Sequence, residues 1–274
     1  MEENKINCLD KGFVRLVDSM GNDSSIVQAA RVSYGEGTKT KREDRELIRY
    51  LMRHRHTSPF EMVEFKFHVK LPIFIARQWI RHRTANVNEY SGRYSEMKDD
   101  FYIPEPEQVR IQSLYNHQAR GEEQISEEKT LEIIETLENS QRKSFAEYQD
   151  FLSVNLAREL ARINLPLATY TEWYWKIDLH NLFHFLKLRL DATAQYEIRV
   201  YAEAICKLIK PIVPTAFEAF EDFILNSMNF SSQELNALKN AISFDKLDDE
   251  SLKSIGFTNR EILEFKEKIK VLQK

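Results

Sequence analysis

The sequence predicts an α+β fold: helices packed on a mainly antiparallel sheet in a single core domain. Three observations carry that expectation. Glu64 to Val69 alternate, with Phe65, Phe67 and Val69 on one side and Glu64, Lys66 and His68 on the other, as a half-buried strand does. Phe13–Asp18 and the Thr- and aromatic-rich Ala168–Trp175 read as further strands. Around them run long segments with helical apolar spacing. At 274 residues the chain can bury a full core.

Taken in order, the first strand is Phe13–Asp18. Gly21-Asn22-Asp23-Ser24 is a turn with helix-capping residues, and it opens a helix through about Val32 with Ser33 at its end. A second helix spans Arg42 to about Arg55. Leu47, Ile48, Leu51 and Met52 are its apolar stripe, and its basic outer residues read as a solvated face. The stretch from His54 to Glu61 is a loop, in which His56 reads as a structural histidine and Ser58-Pro59 as turn chemistry. After the strand at 64–69, Pro72 sits in the first turn of a helix continuing through Ile80. In such a helix Arg77 and Arg81, and Gln78 and Arg81, share faces. Asn86–Gly92 has turn composition and breaks it.

Phe101–Pro106 is extended, and residues 107–125 are polar without a pattern. Glu127 to about Asn164 reads as helical, whole or with one break, turning Ile133, Leu137, Phe145, Phe151, Leu156, Leu160 and Ile163 inward. Arg158 and Arg162 lie one turn apart near its end, which Pro166 enforces. Cations there suit the helix dipole, and that reading is kept for Arg158. The aromatics of 168–175 read as core. Asp178 is an N-cap for a helix over Leu179–Leu190, with Leu182, Phe183, Leu186 and Leu190 buried and His180, His184 and Arg189 on other faces. A further helix runs from about Ala194 to Ile209 and ends at Pro211 and Pro214. Phe217, Phe220 and Phe223 fit a final core helix. Residues 1–225 form the core domain. From about Asn229 the character changes. Ser231 with Glu234 and Thr258 with Glu261 each fit a capping box, and 229–274 reads as three short amphipathic helices, an appendage of packing or interaction.

No apolar run approaches a membrane span, and the charged start lacks a signal peptide's apolar region, so a soluble cytoplasmic protein is expected. Cys8 and Cys206 stand far apart, so neither a disulfide framework nor a metal site is indicated. The net charge of −4 argues against a general nucleic-acid binder.

Against that acidic background one stretch is basic. Arg77, Arg81, Arg83 and Arg93 crowd together with only Glu89 as an acid among Arg81–Tyr94. The guanidinium fork suits phosphate and never loses its charge. Asn86, Asn88, Glu89, Tyr90 and Ser91 add groups that can read a heterocycle's edge. The set fits a pocket for a phosphorylated small molecule; a solvated basic helix face, or a nucleic-acid-binding module over Arg77–Tyr94, are the other readings of the same residues.

The run Arg81-His82-Arg83, seven residues, then Ser91-Gly92-Arg93-Tyr94 resembles the signature of flavin-dependent thymidylate synthases. The resemblance extends over Asp10–Phe13, Ala29–Tyr34, His56–Glu61, Ala76–Trp79, Ala161–Pro166 and Leu188–Gln195, in the family's order across about residues 8–222. The 229–274 segment lies outside it. The resemblance implies conversion of dUMP to dTMP, with methylenetetrahydrofolate as carbon donor, FAD as redox mediator and NADPH as reductant. It implies dUMP binding by Gln78, Arg81, Glu89, Ser91, Gly92, Arg93 and Arg162, with Arg189 as the catalytic group at the uracil edge. It also implies FAD binding by Ser58, Arg81, His82, Arg83 and Glu89, and by the helix positions Asp178, His180 and His184.

That last group departs from the family pattern. Relatives often carry an Asn-x-Arg pair and then Asn or His there. Asp178 loses an amide donor and adds negative charge, and His180 replaces a permanent charge with a titratable one. Weaker or more pH-dependent flavin affinity is expected. Better-known thymidylate synthases use a cysteine nucleophile, and no cysteine lies in the Arg-rich stretch. Ser91 has no dedicated base beside it in sequence and reads as a hydrogen-bonding group. The resemblance further implies a homotetramer with shared active sites, part of the long helices' apolar surface lying between subunits, and no nucleic-acid or membrane partner.

Overall fold

The alternation at residues 64–69 becomes the middle strand of a five-stranded sheet. In the computed structural model, residues 4–32, 41–114, 119–241 and 248–273 are described; the expected helix end at Ser33 lies outside them. The sheet is built from β1 (Lys5–Cys8), β2 (Gly12–Met20), β3 (Glu64–Pro72), β4 (Asn86–Glu89) and β7 (Tyr170–Asp178). Its order is β1-β2-β3-β7-β4 and every neighbouring pair is antiparallel. The remaining strands, β5 (Arg110–Gln112) and β6 (Arg120–Gln124), pair only with each other. β1 and this hairpin carry too little apolar pattern to be read from sequence.

Register explains the core. Phe65, Phe67, Val69 and Leu71 are completely buried, and their β7 partners are Ile177, Trp175, Trp173 and Thr171. On the other side Val14 faces Val69 and Leu16 faces Phe67. One face of the sheet is therefore apolar, each large side chain contributing roughly 1.5–3 kcal/mol by burial. The opposite face carries ion pairs between neighbouring strands, Lys66 with Asp18 and Lys176 with Glu64.

Helices α3 (Ile73–Trp79), α6 (Leu179–Arg189) and α7 (Tyr196–Ile209) share the buried core with the apolar face. Trp79 is completely buried and its ring meets those of Trp173, Trp175, Phe185 and Tyr201 at 4.7–5.9 Å between centroids. The expected core role of the β7 aromatics holds for Trp173 and Trp175, while Tyr174 is exposed. Asp178 caps α6, accepting from the Asn181 backbone N–H at 2.9 Å. Asn22 caps α1 (Asp23–Arg31) with a complete capping box.

Several expectations are corrected. α2 (Lys41–Arg53) does not expose a purely solvated basic face. Arg49 is buried and pairs with Glu218 and Asp222, and Arg45 also pairs with Glu218, which lies on α8 (Pro214–Phe220). The helical stretch expected over 127–164 does contain the break allowed for it: α4 (Glu127–Ser153) is followed, after a break, by the short α5 (Arg158–Ala161) and a single 3-10 turn through Asn164. Leu137, Phe151, Leu156, Leu160 and Ile163, expected inward, are exposed in this chain. Arg158 begins α5 rather than ending a helix, and it pairs with Glu96 at 3.6 Å instead of facing a C-terminal dipole.

Asn226–Lys274 forms a second compact unit. It holds α9 (Ser232–Ala241), α10 (Asp249–Ser254) and α11 (Asn259–Gln273). Both capping boxes form: Ser231 exchanges bonds with Glu234, and Thr258 with Glu261.

Gly12 marks the tightest approach in the sheet. A Cβ there would lie 2.0 Å from the Tyr201 hydroxyl and under 3 Å from two carbonyls, Cys8 O at 2.7 Å and Lys70 O at 2.8 Å. Gly12→Ala should cost roughly 1–3 kcal/mol of stability as an overpacking change. A chemical-denaturation midpoint equal to wild type would contradict that.

Candidate functional site

The Arg-rich stretch begins where α3 stops. Pro72 is the last residue of β3 and the helix runs only to Trp79, with Ile80 as its cap. Arg81 therefore lies in the following turn, and the shared helix faces expected for Arg77, Gln78 and Arg81 do not form. The physical reason is Trp79, which is fixed in the core while the His82 N–H turns back to the Trp79 carbonyl at 3.0 Å. Asn86–Glu89, expected as a turn, is the edge strand β4. Its composition is overruled by the free hydrogen-bonding edge of β7, which continues through Tyr90 N–H to Glu172 O at 2.8 Å. The β4 side chains remain exposed.

One cluster forms before β4. Arg189, the last residue of α6, donates from Nε to Nε2 of His82 at 3.0 Å. The His82 ring also meets Phe185 at 4.9 Å and His184 at 5.9 Å. Burial first, then the Arg189 and His184 charges, hold His82 down at about 4. Burial also lowers Arg189, which keeps its charge at any working pH.

A second cluster forms after β4. Gly92 is buried against Arg162: a Cβ on it would lie 2.7 Å from Met97 Sδ and 3.2 Å from Arg162 Cδ. Ser91 Oγ accepts from the Arg93 N–H at 3.3 Å, closing the turn that presents Arg93. Arg93 pairs with Glu159 at 3.2 Å, both half-exposed, a contact of small net value that an incoming anion can replace. Glu89 accepts from Thr171 Oγ1 at 2.8 Å, which fixes its carboxylate beside β7.

The two clusters share no hydrogen bond or ring contact among the described residues; the four-residue β4 lies between them, about 13 Å at ordinary strand rise. The side chains of Arg77, Arg81, Arg83 and Arg162 have no hydrogen-bond or ion-pair partner among the described residues. Gln78 is half-buried, and its Oε1 is buried without a partner. An unmatched acceptor inside a protein costs free energy unless a ligand or water supplies a donor. Ser58 and His184 are exposed and His180 is half-buried. Both Asp178 oxygens are engaged by Asn181, through its backbone N–H at 2.9 Å and its side-chain amide at 2.7 Å. The carboxylate is thereby committed to capping.

Sequence reading missed a polar group on the other face of the sheet. His68 Nδ1 accepts from Arg15 at 3.1 Å, and its Nε2 lies 3.0 Å from Glu172, which also holds Lys98 at 2.9 Å. Period-two alternation placed His68 there, but its partners come from strands distant in sequence. Cys8 and Cys206 are free, and burial pushes both thiols up to about 12. Among the described residues no cluster of His, Cys, Asp and Glu could hold a metal ion, and no helix is long and apolar enough to cross a membrane.

An antiparallel sheet carrying buried helices, with guanidiniums free of side-chain partners on the turn after α3, defines an α+β protein with a cationic patch beside its sheet edge. Residues 15–215 match the family model described as thymidylate synthase complementing protein. The flavin-dependent thymidylate synthase of Treponema denticola is 54% identical over 268 residues, 98% of each chain. That of Wolbachia pipientis wMel is 58% identical over 241 residues, 88% of this chain and 84% of the relative. Among solved structures, a UMP/dUMP methylase PolB from Streptomyces cacaoi, bound with 5-Br dUMP, superposes with a TM-score of 0.73. It is 34% identical and covers 81% of this chain and all of its own. The chain belongs to the flavin-dependent thymidylate synthase family. The family-model match ends before the 229–274 segment, while the Treponema match covers 98% of this chain.

The depressed His82 has a stability consequence. Above about pH 6.5 the ring is neutral in folded and unfolded chains alike. As pH falls from about 6.5 towards about 4, the unfolded chain takes the proton and the folded one does not, so stability drops through that window. Wild type should lose more stability than His82→Gln between about pH 7 and about pH 4.5, measured by chemical denaturation. Equal losses would contradict the assignment.

Proposed function

We propose that the protein is a thymidylate synthase that converts dUMP to dTMP, with methylenetetrahydrofolate as the carbon donor, FAD as the redox mediator and NADPH as the reductant. The observation that carries this reading is the concentration of unpaired or loosely paired guanidiniums at both ends of β4, on the residues the family signature names. Arg93 and Arg162 hold the phosphate and the uracil oxygens, together with Arg81. Ser91 orients Arg93 through its backbone and offers its hydroxyl to the substrate. Glu89 receives ribose or base donors while Thr171 fixes it. Gly92 has no side chain, so Arg162 can lie against the substrate turn. Gln78 gives its unmatched oxygen to a substrate donor.

The residues also fit a flavin dinucleotide. Arg81 and Arg83 are free for phosphate oxygens, with His82 between them. Ser58, Glu89, His180 and His184 complete the set, and Asp178 holds the start of α6 that carries the two histidines. When bound, FAD supplies the hydride chemistry that links NADPH oxidation to methyl formation.

Ring activation falls to Arg189. A fixed guanidinium at the uracil edge stabilises negative charge as N3 ionises or an enolate-like state forms, an effect of several kcal/mol. No thiolate competes for this role, because both cysteines stay protonated at neutral pH. The separation of the two clusters within one chain supports active sites shared between subunits. The exposed Val154, Leu160, Ile163 and Leu167 support burial of that face in a homotetramer.

Protein loaded with FAD should show a flavin spectrum that shifts when dUMP is added; a spectrum indifferent to dUMP would count against a common site. Gly92→Ala displaces Arg162, so it should raise the KM for dUMP by about tenfold while flavin content stays the same. An unchanged KM would remove Arg162 from the substrate site.

A further inference from the structure

We infer that His82 is the positioning residue for Arg189: its Nε2 takes the Arg189 Nε–H, fixes the plane of the guanidinium and leaves both Nη groups to the substrate. The inference rests on the reading that Arg189 faces the uracil.

The geometry decides the tautomer. Arg189 Nε can only donate, and it stands 3.0 Å from His82 Nε2. That nitrogen therefore carries a lone pair, and the ring proton is on Nδ1. His82 is itself held at main chain and ring: its backbone N–H donates to the Trp79 carbonyl at 3.0 Å, and Phe185 meets the imidazole near edge-on at 4.9 Å. Phe185 in turn packs on Trp79 at 4.7 Å. The chain of restraint thus runs from the buried core to the guanidinium.

The choice of acceptor matters chemically. An arginine is most often held by a carboxylate, which would cancel its charge. A neutral imidazole orients the guanidinium and leaves the whole positive charge for an electron-rich ring. Burial first, and then the Arg189 and His184 charges from α6, keep His82 neutral; Arg81 and Arg83 flank it in sequence, and no carboxylate bonds it among the described residues. Arg189 makes no other hydrogen bond or ion pair among the described residues, so this bond alone sets its orientation.

The test uses the flavin-loaded enzyme and three variants, with dTMP formation, flavin content and the KM for dUMP measured together. His82→Leu removes the acceptor at similar volume. It should lower kcat per bound flavin by about 10²-fold, as expected for loss of orientation at a reacting centre, with the KM for dUMP nearly unchanged. His82→Gln can present an amide oxygen to the same N–H and should recover to within about tenfold of wild type. Adding His82→Leu to Arg189→Ala should produce no further loss, because the two act as one unit. Nitrogen-15 spectra of the wild-type ring should show Nδ1 protonated and Nε2 bare.

The proposal is overturned if Arg189→Ala abolishes turnover while His82→Leu leaves kcat intact. It is equally overturned if the two losses multiply, if the His82→Leu loss disappears once turnover is expressed per bound flavin, or if Nε2 carries the proton in wild type. Wild-type kcat in Arg189→Ala would instead overturn the reading of Arg189 itself, and the positioning role would fall with it.

Discussion

The indole of Trp79 is where the sheet and the site-bearing helices meet. It is completely buried, with Trp173 and Trp175 of β7 on one side and Phe185 of α6 and Tyr201 of α7 around it. Large aromatic side chains pack in few ways, and a core at crystal density tolerates little displacement. Trp79 is also the final residue of α3. Its place therefore dictates where the helix ends and where Arg81, His82 and Arg83 begin. Phe185 lies one turn before Arg189 on α6, so the same contact places the guanidinium.

What surrounds this anchor is a division of charge. Inside, polar groups are mostly matched, as with Tyr102 and Arg120 on the buried Glu197. Around β4 they are not. The side chains of Arg77, Arg81, Arg83 and Arg162 lack partners among the described residues, and Arg93 has only a half-exposed one. A chain of net charge −4 that keeps these cations unmatched holds a local positive field for an anionic ligand. His82 extends the same logic, because it orients Arg189 without neutralising it.

The parts of this arrangement that the sequence made legible are those set by local pattern. The alternation of β3, the Asp178 cap, the α6 stripe and both capping boxes of the C-terminal unit each depend on residues within a turn or two. The parts that were hidden depend on partners far along the chain. Asn86–Glu89 reads as a turn and becomes a strand because β7, more than eighty residues later, offers its edge. Arg45 and Arg49 read as solvated until Glu218 arrives from α8 and Asp222 from the turn that follows it. Leu160 and Ile163 carry an inward pattern that this chain alone does not bury. The site residues were named through the family resemblance, and their separation into two clusters emerged only once β4 was placed.

The proposed reaction forms dTMP without a thiolate nucleophile. The most direct measurement is dTMP formation from dUMP, methylenetetrahydrofolate and NADPH by the flavin-loaded Cys8→Ala/Cys206→Ala protein. The expected result is dTMP at the wild-type rate, because both thiols are buried and the proposed ring activation uses a guanidinium. Loss of dTMP formation in that variant alone, with wild type active, would contradict the account; so would a wild-type protein that forms none.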